Sequence, residues 1–253
     1  MGVAALKLSG LTKIYGNFAA VSNVDLQVEE GRVFGFLGPN GAGKTTTMSI
    51  IGGLLRQSTG TVSICGHDID DDPAGAKSLL GYVPDRPFLY EKLTGLEHMK
   101  FVADLYRMVE EDFDRRSSEL MALFQLEKWG NELIENYSHG MKQRLVMASA
   151  LLHRPMLLVV DEPMVGLDPG GARMLKSAFS LYAHRQGATV FMSTHTMAVA
   201  EEVCDEVAII DHGRIVAHGT IAELKKAQGA KGLEEVFHTL TGTDETVPVE
   251  VVL

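Results

Sequence analysis

The most specific chemistry in this sequence lies in the nine residues Gly38-Pro39-Asn40-Gly41-Ala42-Gly43-Lys44-Thr45-Thr46. They follow a short apolar run, Val33 to Leu37, and precede a helical pattern that reaches about Leu55. The glycines let successive backbone N–H groups turn toward one anion, and a helix starting beside them adds the partial positive charge of its first turn. Lys44 is placed to reach the β- and γ-phosphates of a nucleotide, and Thr45 to ligate Mg2+. Neither side chain has a purely structural reason to occupy its position.

A second group follows Leu157-Leu158-Val159-Val160, where Asp161 and Glu162 end a fully apolar run. An open α/β sheet presents ligands at such strand ends, and two adjacent acids there are costly unless used. Asp161 fits a Mg2+ ion or its water, and Glu162 fits a general base acting on an attacking water. His195 ends a third apolar run, Val190 to Thr194, where an imidazole can bridge the terminal phosphate and a neighbouring loop. The other eight of the 9 histidines have no comparable context.

These groups need elements to hold them. Val33 to Leu37, Met156 to Val160 and Thr189 to Met192 are nearly continuous apolar runs, as parallel strands covered on both faces require. Val24, Leu26 and Val28 alternate with polar residues, as do Val62 and Ile64, the pattern of half-buried antiparallel strands. Helical patterns separate the runs, so the sequence predicts an α/β fold with a largely parallel sheet and a smaller β element near the N-terminus. From about residue 86 to residue 155 strand signals disappear. There Thr94-Gly95-Leu96-Glu97 predicts a capping box opening an amphipathic helix with Leu96, Met99, Val102, Leu105 and Tyr106 inward. Val207 to Ile210 and Arg214 to His218 flank Asp211-His212-Gly213 and predict a β-hairpin. Residues 243–253 read as a loosely held tail, giving one domain over 1–242.

Composition narrows the function classes. With 253 residues, 45% hydrophobic and 22% charged, the chain is long enough for a substantial core. The charge balance of 23 basic and 33 acidic residues, −10 in all, argues against wrapping nucleic acid, so no nucleic-acid partner is expected. Cys65 and Cys204 are far apart and lack metal-ligand neighbours, which fits reduced thiols in a cytosolic chain. No run approaches the 18 or so apolar residues of a membrane span, so a membrane role requires a partner.

One further segment, Tyr137-Ser138-His139-Gly140-Met141-Lys142-Gln143-Arg144, places Ser138 as the N-cap of a helix that runs until Pro155, a second anion-binding helix terminus in one chain. With this segment, nearly the whole chain resembles the ATP-binding subunit of ATP-binding cassette (ABC) transporters. The resemblance implies a P-loop NTPase (RecA-like) core, an N-terminal antiparallel β subdomain and a helical subdomain bearing the signature motif. By resemblance, Gly38 to Thr45 is the Walker A loop and Asp161 and Glu162 are the Walker B acids. Gly166-Leu167-Asp168 is the D-loop, Ser138 to Met141 belong to the signature, and His195 is the switch histidine. Tyr15 stands where the family stacks an aromatic ring on adenine. The resemblance implies ATP and Mg2+ as cofactors, a second ATP-binding domain as partner, with a homodimer expected, and integral membrane permease subunits. The chain is then cytoplasmic and held to the inner membrane face through the permease. The signature octapeptide and Leu233 to Gly242 are most similar to exporter-type subunits.

Four positions depart from the family pattern. Tyr82-Val83-Pro84-Asp85 aligns with the Q-loop, where Gln or Glu is usual as a Mg2+ and water contact. Asp85 remains an oxygen donor suited to a hard cation, at shorter reach. His139 and Met141 replace the commoner Gly and Gln of the signature, and Met164 follows the Walker B Pro where a smaller polar residue is frequent. The alternatives weighed against a transport ATPase are a soluble ABC protein acting on ribosomes or DNA, and a regulatory nucleotide-binding subunit. The single cassette and acidic charge oppose the first, and Glu162 and His195 oppose the second.

Overall fold

The computed structural model describes residues 4–86, 88–164 and 168–242. The chain begins with β1 (Leu6–Tyr15) and β2 (Phe18–Val28), then β3 (Val33–Leu37) leading into α1 (Lys44–Ile51). After these come β4 (Thr59–Ile64), β5 (His67–Asp68), α2 (Pro73–Ser78) and β6 (Leu80–Val83). Three helices follow, α3 (Gly95–Leu105), α4 (Glu110–Leu123) and α5 (His139–Ala150), before the chain returns as β7 (Leu157–Val160). The rest runs α6 (Pro169–Gln186), β8 (Thr189–Thr194), α7 (Met197–Val203), β9 (Glu206–Asp211), β10 (Arg214–Thr220), α8 (Ile221–Gln228) and α9 (Leu233–Thr241).

Two sheets result. One is antiparallel, ordered β2-β1-β4-β5, and the other is ordered β10-β9-β3-β8-β7-β6. In the second sheet the strands from β9 to β6 are parallel, and only β10 pairs antiparallel. Alternation along β3 explains why its apolar run is unbroken. Phe34 and Phe36 turn toward the antiparallel sheet and α1, packing with Phe191, Met48, Leu8 and Leu26. Val33 and Leu37 turn the other way into a second cluster with Met99, Leu145, Phe179 and Phe237 from the helices. A strand covered on both faces has no polar side to show.

The sequence-predicted strands and hairpin are present, with three corrections among the helices. The helix after the phosphate loop stops at Ile51, where Gly52 caps it and Gly53 turns the chain at φ +66°, before Leu55. The helix capped by Ser138 ends at Ala150, five residues before Pro155. The capping box at Thr94 forms, with Glu97 N–H donating to Thr94 Oγ1 at 3.2 Å and Thr94 N–H to Glu97 Oε2 at 2.8 Å. Its helix, however, buries His98, Met99 and Ala103 and leaves Leu105 65% exposed. Leu105 is two residues past Ala103, roughly 200° around the axis, so both cannot face the core. Tyr106 caps the helix and lays its ring on His153 instead, with centroids 3.6 Å apart and planes 8° from parallel.

His153 makes the fold acid-sensitive. Its Nε2 lies 3.0 Å from the Leu80 carbonyl oxygen, and a carbonyl only accepts, so Nε2 carries the proton and Nδ1 is left buried without a partner. Burial pushes its pKa down to about 4, against the opposing pull of the Leu80 carbonyl. In the unfolded chain a histidine titrates near ~6.5. Between these values the unfolded chain binds a proton that the folded chain does not. The contribution of His153 to stability is therefore constant above pH ~6.5 and is lost as pH drops toward 4, by on the order of 3 kcal/mol. Urea melts at pH 7 and pH 4.5 should show this loss shrinking in His153→Gln. Equal losses in both proteins would place the acid sensitivity elsewhere.

Candidate functional site

The phosphate loop spans the gap between β3 and α1. Gly43 sits at the N-cap of α1 with φ +107°, and a Cβ there would stand 2.4 Å from the Ala20 carbonyl oxygen. Gly38 is as confined, since its Cβ would meet the Ile210 carbonyl oxygen at 2.4 Å. A backbone bond from Gly213 N–H to Ala42 O at 3.0 Å pins the loop to the β9–β10 turn, and one from Ala42 N–H to Pro39 O at 3.2 Å closes a turn within the loop. No side chain caps α1, so its leading N–H groups stay open to an anion. Lys44 is 7% exposed, and its ammonium donates to Gly38 O at 2.6 Å and Pro39 O at 3.2 Å. Burial pushes its pKa down, while the carboxylates of Glu162 and Asp161 pull it back up.

The acids arrive from the neighbouring strands. Parallel pairing of β7 with β8, Val160 opposite Met192, carries Asp161 alongside Ser193. Ser193 Oγ donates to Asp161 Oδ1 at 2.5 Å and accepts the Glu162 N–H at 3.0 Å. Asp161 is 1% exposed, and its Oδ2 is buried with no hydrogen-bond partner. Glu162 has φ +49°, the left-handed region, and its Oε1 lies 2.9 Å from His195 Nδ1. The sequence placed Glu162 and His195 at separate strand ends, and the sheet order brings them into one hydrogen bond.

One cavity of about 390 Å³ joins the remaining members, lined among others by Tyr15, Phe18, Asn40, Lys44, Asp85 and Glu162. Gly41, Gly43, Thr45 and Thr46 line it as well. Tyr15 is 48% exposed at the end of β1, with Lys13 Nζ 5.2 Å from its ring centroid, so a face is open for a planar base. Asp85 lines the same cavity, with Arg86 Nε 4.0 Å from its carboxylate.

The signature residues are not in this cavity. Ser138 caps α5, accepting the Met141 N–H at 3.3 Å. It lines a separate 410 Å³ cavity with Gly140, Arg144, Asp168 and Gly171. Asp168 caps α6 by accepting the Gly171 N–H at 2.6 Å, whereas Gly166 and Leu167 lie outside the described residues. His139 opens α5 at the rim of the same helix end. Met164 packs at the edge of the larger apolar cluster, which accounts for an apolar residue after Pro163.

Two residues went unread in the sequence. Ser193 is a hydroxyl closing an apolar run, and its position one step before the Thr194-His195 pair was the available signal. Gln143, 3% exposed, donates through Nε2 to the Pro163 carbonyl oxygen at 3.3 Å and ties the signature helix to the turn after Glu162.

The chain is similar to known proteins in sequence and in fold. A family model described as ABC transporter matches residues 21–165. EcsA of Bacillus subtilis (strain 168), an ABC-type transporter ATP-binding protein, is 35% identical over 96% of this chain and 98% of its own length. The daunorubicin/doxorubicin resistance ATP-binding protein DrrA of Streptomyces peucetius is 36% identical over 92% of this chain and 71% of its own. A solved ATP-binding subunit of an ABC transporter superposes with TM-score 0.88 at 33% identity, covering 93% of this chain and 99% of that one. A dimeric ATP-binding cassette in a post-hydrolysis state bound to ADP and Pi superposes with TM-score 0.78 at 28% identity, over 85% of this chain and 98% of that one. Fold, site and relatives together make this chain a member of the ABC transporter family, an ATP-hydrolysing ATP-binding subunit.

Proposed function

We propose that this chain drives export: two copies close head to tail on MgATP, and the closure is passed to a membrane permease at the cytoplasmic face. Residues 1–242 act as one ATP-binding domain, with residues 86–155 as its helical subdomain. The observation that carries the reading is the 2.9 Å contact of Glu162 Oε1 with His195 Nδ1 beside the phosphate loop. A carboxylate oriented by an imidazole next to an anion cradle is a general base for water.

The donor set also fits Mg2+. Asp161 Oδ2, buried without a partner, and the hydroxyl of the exposed Thr45 are hard oxygen ligands, and Asp85 lines the same cavity as Thr45. When bound, the ion offsets charge on the β- and γ-phosphates. The chain's own residues do the rest. The open N–H groups of Gly43 to Thr46 hold phosphate oxygens, and Lys44 exchanges the Gly38 and Pro39 carbonyls for them. Glu162 accepts the water proton and His195 keeps its carboxylate aimed. Tyr15 stacks on adenine.

Separation of Ser138 to Met141 and Asp168 from this cavity supports a partner chain: each signature helix end serves the other copy's nucleotide. Descent alongside DrrA supports export, with the chain bound at the cytoplasmic face through its permease. Among the described residues no helix is long and apolar enough to cross a membrane. Purification of the tagged chain from its native membranes tests this. An integral membrane polypeptide recovered in stoichiometric amount is expected. Recovery of ribosomes or nucleic acid instead would count against transport.

A further inference from the structure

Ser193 stands behind both acids. It is fully buried in β8 beside Val190, Phe191 and Met192, an environment in which a hydroxyl is costly unless bonded. It is bonded twice, and its one proton and its lone pairs are divided between two neighbours. The proton goes to Asp161 Oδ1 at 2.5 Å, and a lone pair takes the Glu162 N–H at 3.0 Å. The first bond occupies one Asp161 oxygen and stops the carboxylate from rotating, which leaves Oδ2 as the single uncommitted oxygen. The second anchors the backbone of Glu162, whose φ of +49° is a conformation that a non-glycine residue holds only under constraint. Two residues further along the same chain, His195 holds the other end of Glu162 at 2.9 Å. The segment 193–195 thus grips the acid turn at Asp161 Oδ1, at Glu162 N–H and at the Glu162 carboxylate.

We propose that Ser193 is a positioning residue for ATP hydrolysis, its hydroxyl presenting Asp161 Oδ2 to the metal and fixing the Glu162 turn that aims the general base. This rests on the reading of Asp161 and Glu162 given above. It predicts effects in two separable quantities, the metal requirement of nucleotide binding and the turnover rate, because one hydroxyl serves both acids.

The test compares Ser193→Ala and Ser193→Thr, each alone and in a Glu162→Gln background. In that background ATP binding is titrated calorimetrically with and without Mg2+, so no turnover is involved. Residues supporting metal ligands typically matter by 10- to 100-fold, so Ser193→Ala should cut kcat by about that factor with KM within ~3-fold. The enhancement of ATP affinity by Mg2+ should shrink by a similar factor. Ser193→Thr keeps the hydroxyl and should recover both to within ~3-fold of the parent. If Ser193→Ala does not fold, Ser193→Cys takes its place, since a thiol fills the site but is a weak donor. Parental turnover and Mg2+ dependence in the hydroxyl-free variant would overturn this role alone, as would a folded Ser193→Thr as impaired as Ser193→Ala. A wild-type chain that turns over no ATP would overturn the reading of the two acids and this role with it.

Discussion

Replacing Glu162 with Gln should cut ATP turnover by roughly 10²- to 10⁴-fold, the usual contribution of a general base, while leaving nucleotide binding intact. The carboxamide keeps the size of the side chain and an oxygen that His195 can still donate to, so the contact now at 2.9 Å survives. What it loses is the ability to take a proton from water. With hydrolysis blocked, MgATP remains at the site and stabilises whatever assembly binds it best. Light scattering should then show the 27.5 kDa chain moving to about 55 kDa with MgATP, as a two-fold pair requires. A variant that turns over ATP at the parental rate would remove Glu162 from the chemistry. A variant that binds ATP and stays monomeric would make the closing partner a different chain.

Lys44→Ala should weaken MgATP binding by at least about a hundredfold. The ammonium is almost fully enclosed, and its bonds to Gly38 O and Pro39 O show that it already sits over the loop that receives phosphate. Hydrogen bonds to charged groups are worth ~1.5–3 kcal/mol each, so two lost phosphate contacts correspond to at least that factor. The site also loses the cation facing Asp161 and Glu162, whose charges then oppose the nucleotide's own. Lys44→Arg should rescue little, because a planar fork does not fit where a compact point charge is buried. Calorimetric titration with MgATP decides the matter, and an affinity within threefold of wild type would refute the assignment.

What the sequence disclosed, it disclosed through local chemistry. The phosphate loop is readable because the glycines at 38 and 43 are dictated by backbone clashes within a few ångströms, and the Ser138 cap because an N-cap needs only its own helix. The buried parallel strands announced themselves by unbroken apolar runs. What stayed hidden depends on which strands lie side by side. β8 lies between β3 and β7, more than 150 residues after β3, and only that order brings Ser193 to Asp161 and His195 to Glu162. Leu105 and Tyr106 were misjudged for a related reason. The Tyr106 ring finds its place on His153, 47 positions later, and no helical period contains that information. β1 was overlooked although Leu6, Leu8 and Leu11 line its inner face, because a register shift between Leu8 and Leu11 breaks the simple alternation.

The bond from Gln143 to the Pro163 carbonyl has a consequence for timing. It joins the helix that Ser138 caps to the turn that carries Glu162, yet those two features serve different nucleotides when copies pair head to tail. Under the head-to-tail pairing proposed above, any displacement of the acid turn would be transmitted through this bond to the helix end that faces the opposite nucleotide. Two sites joined in this way would be mechanically linked rather than independent.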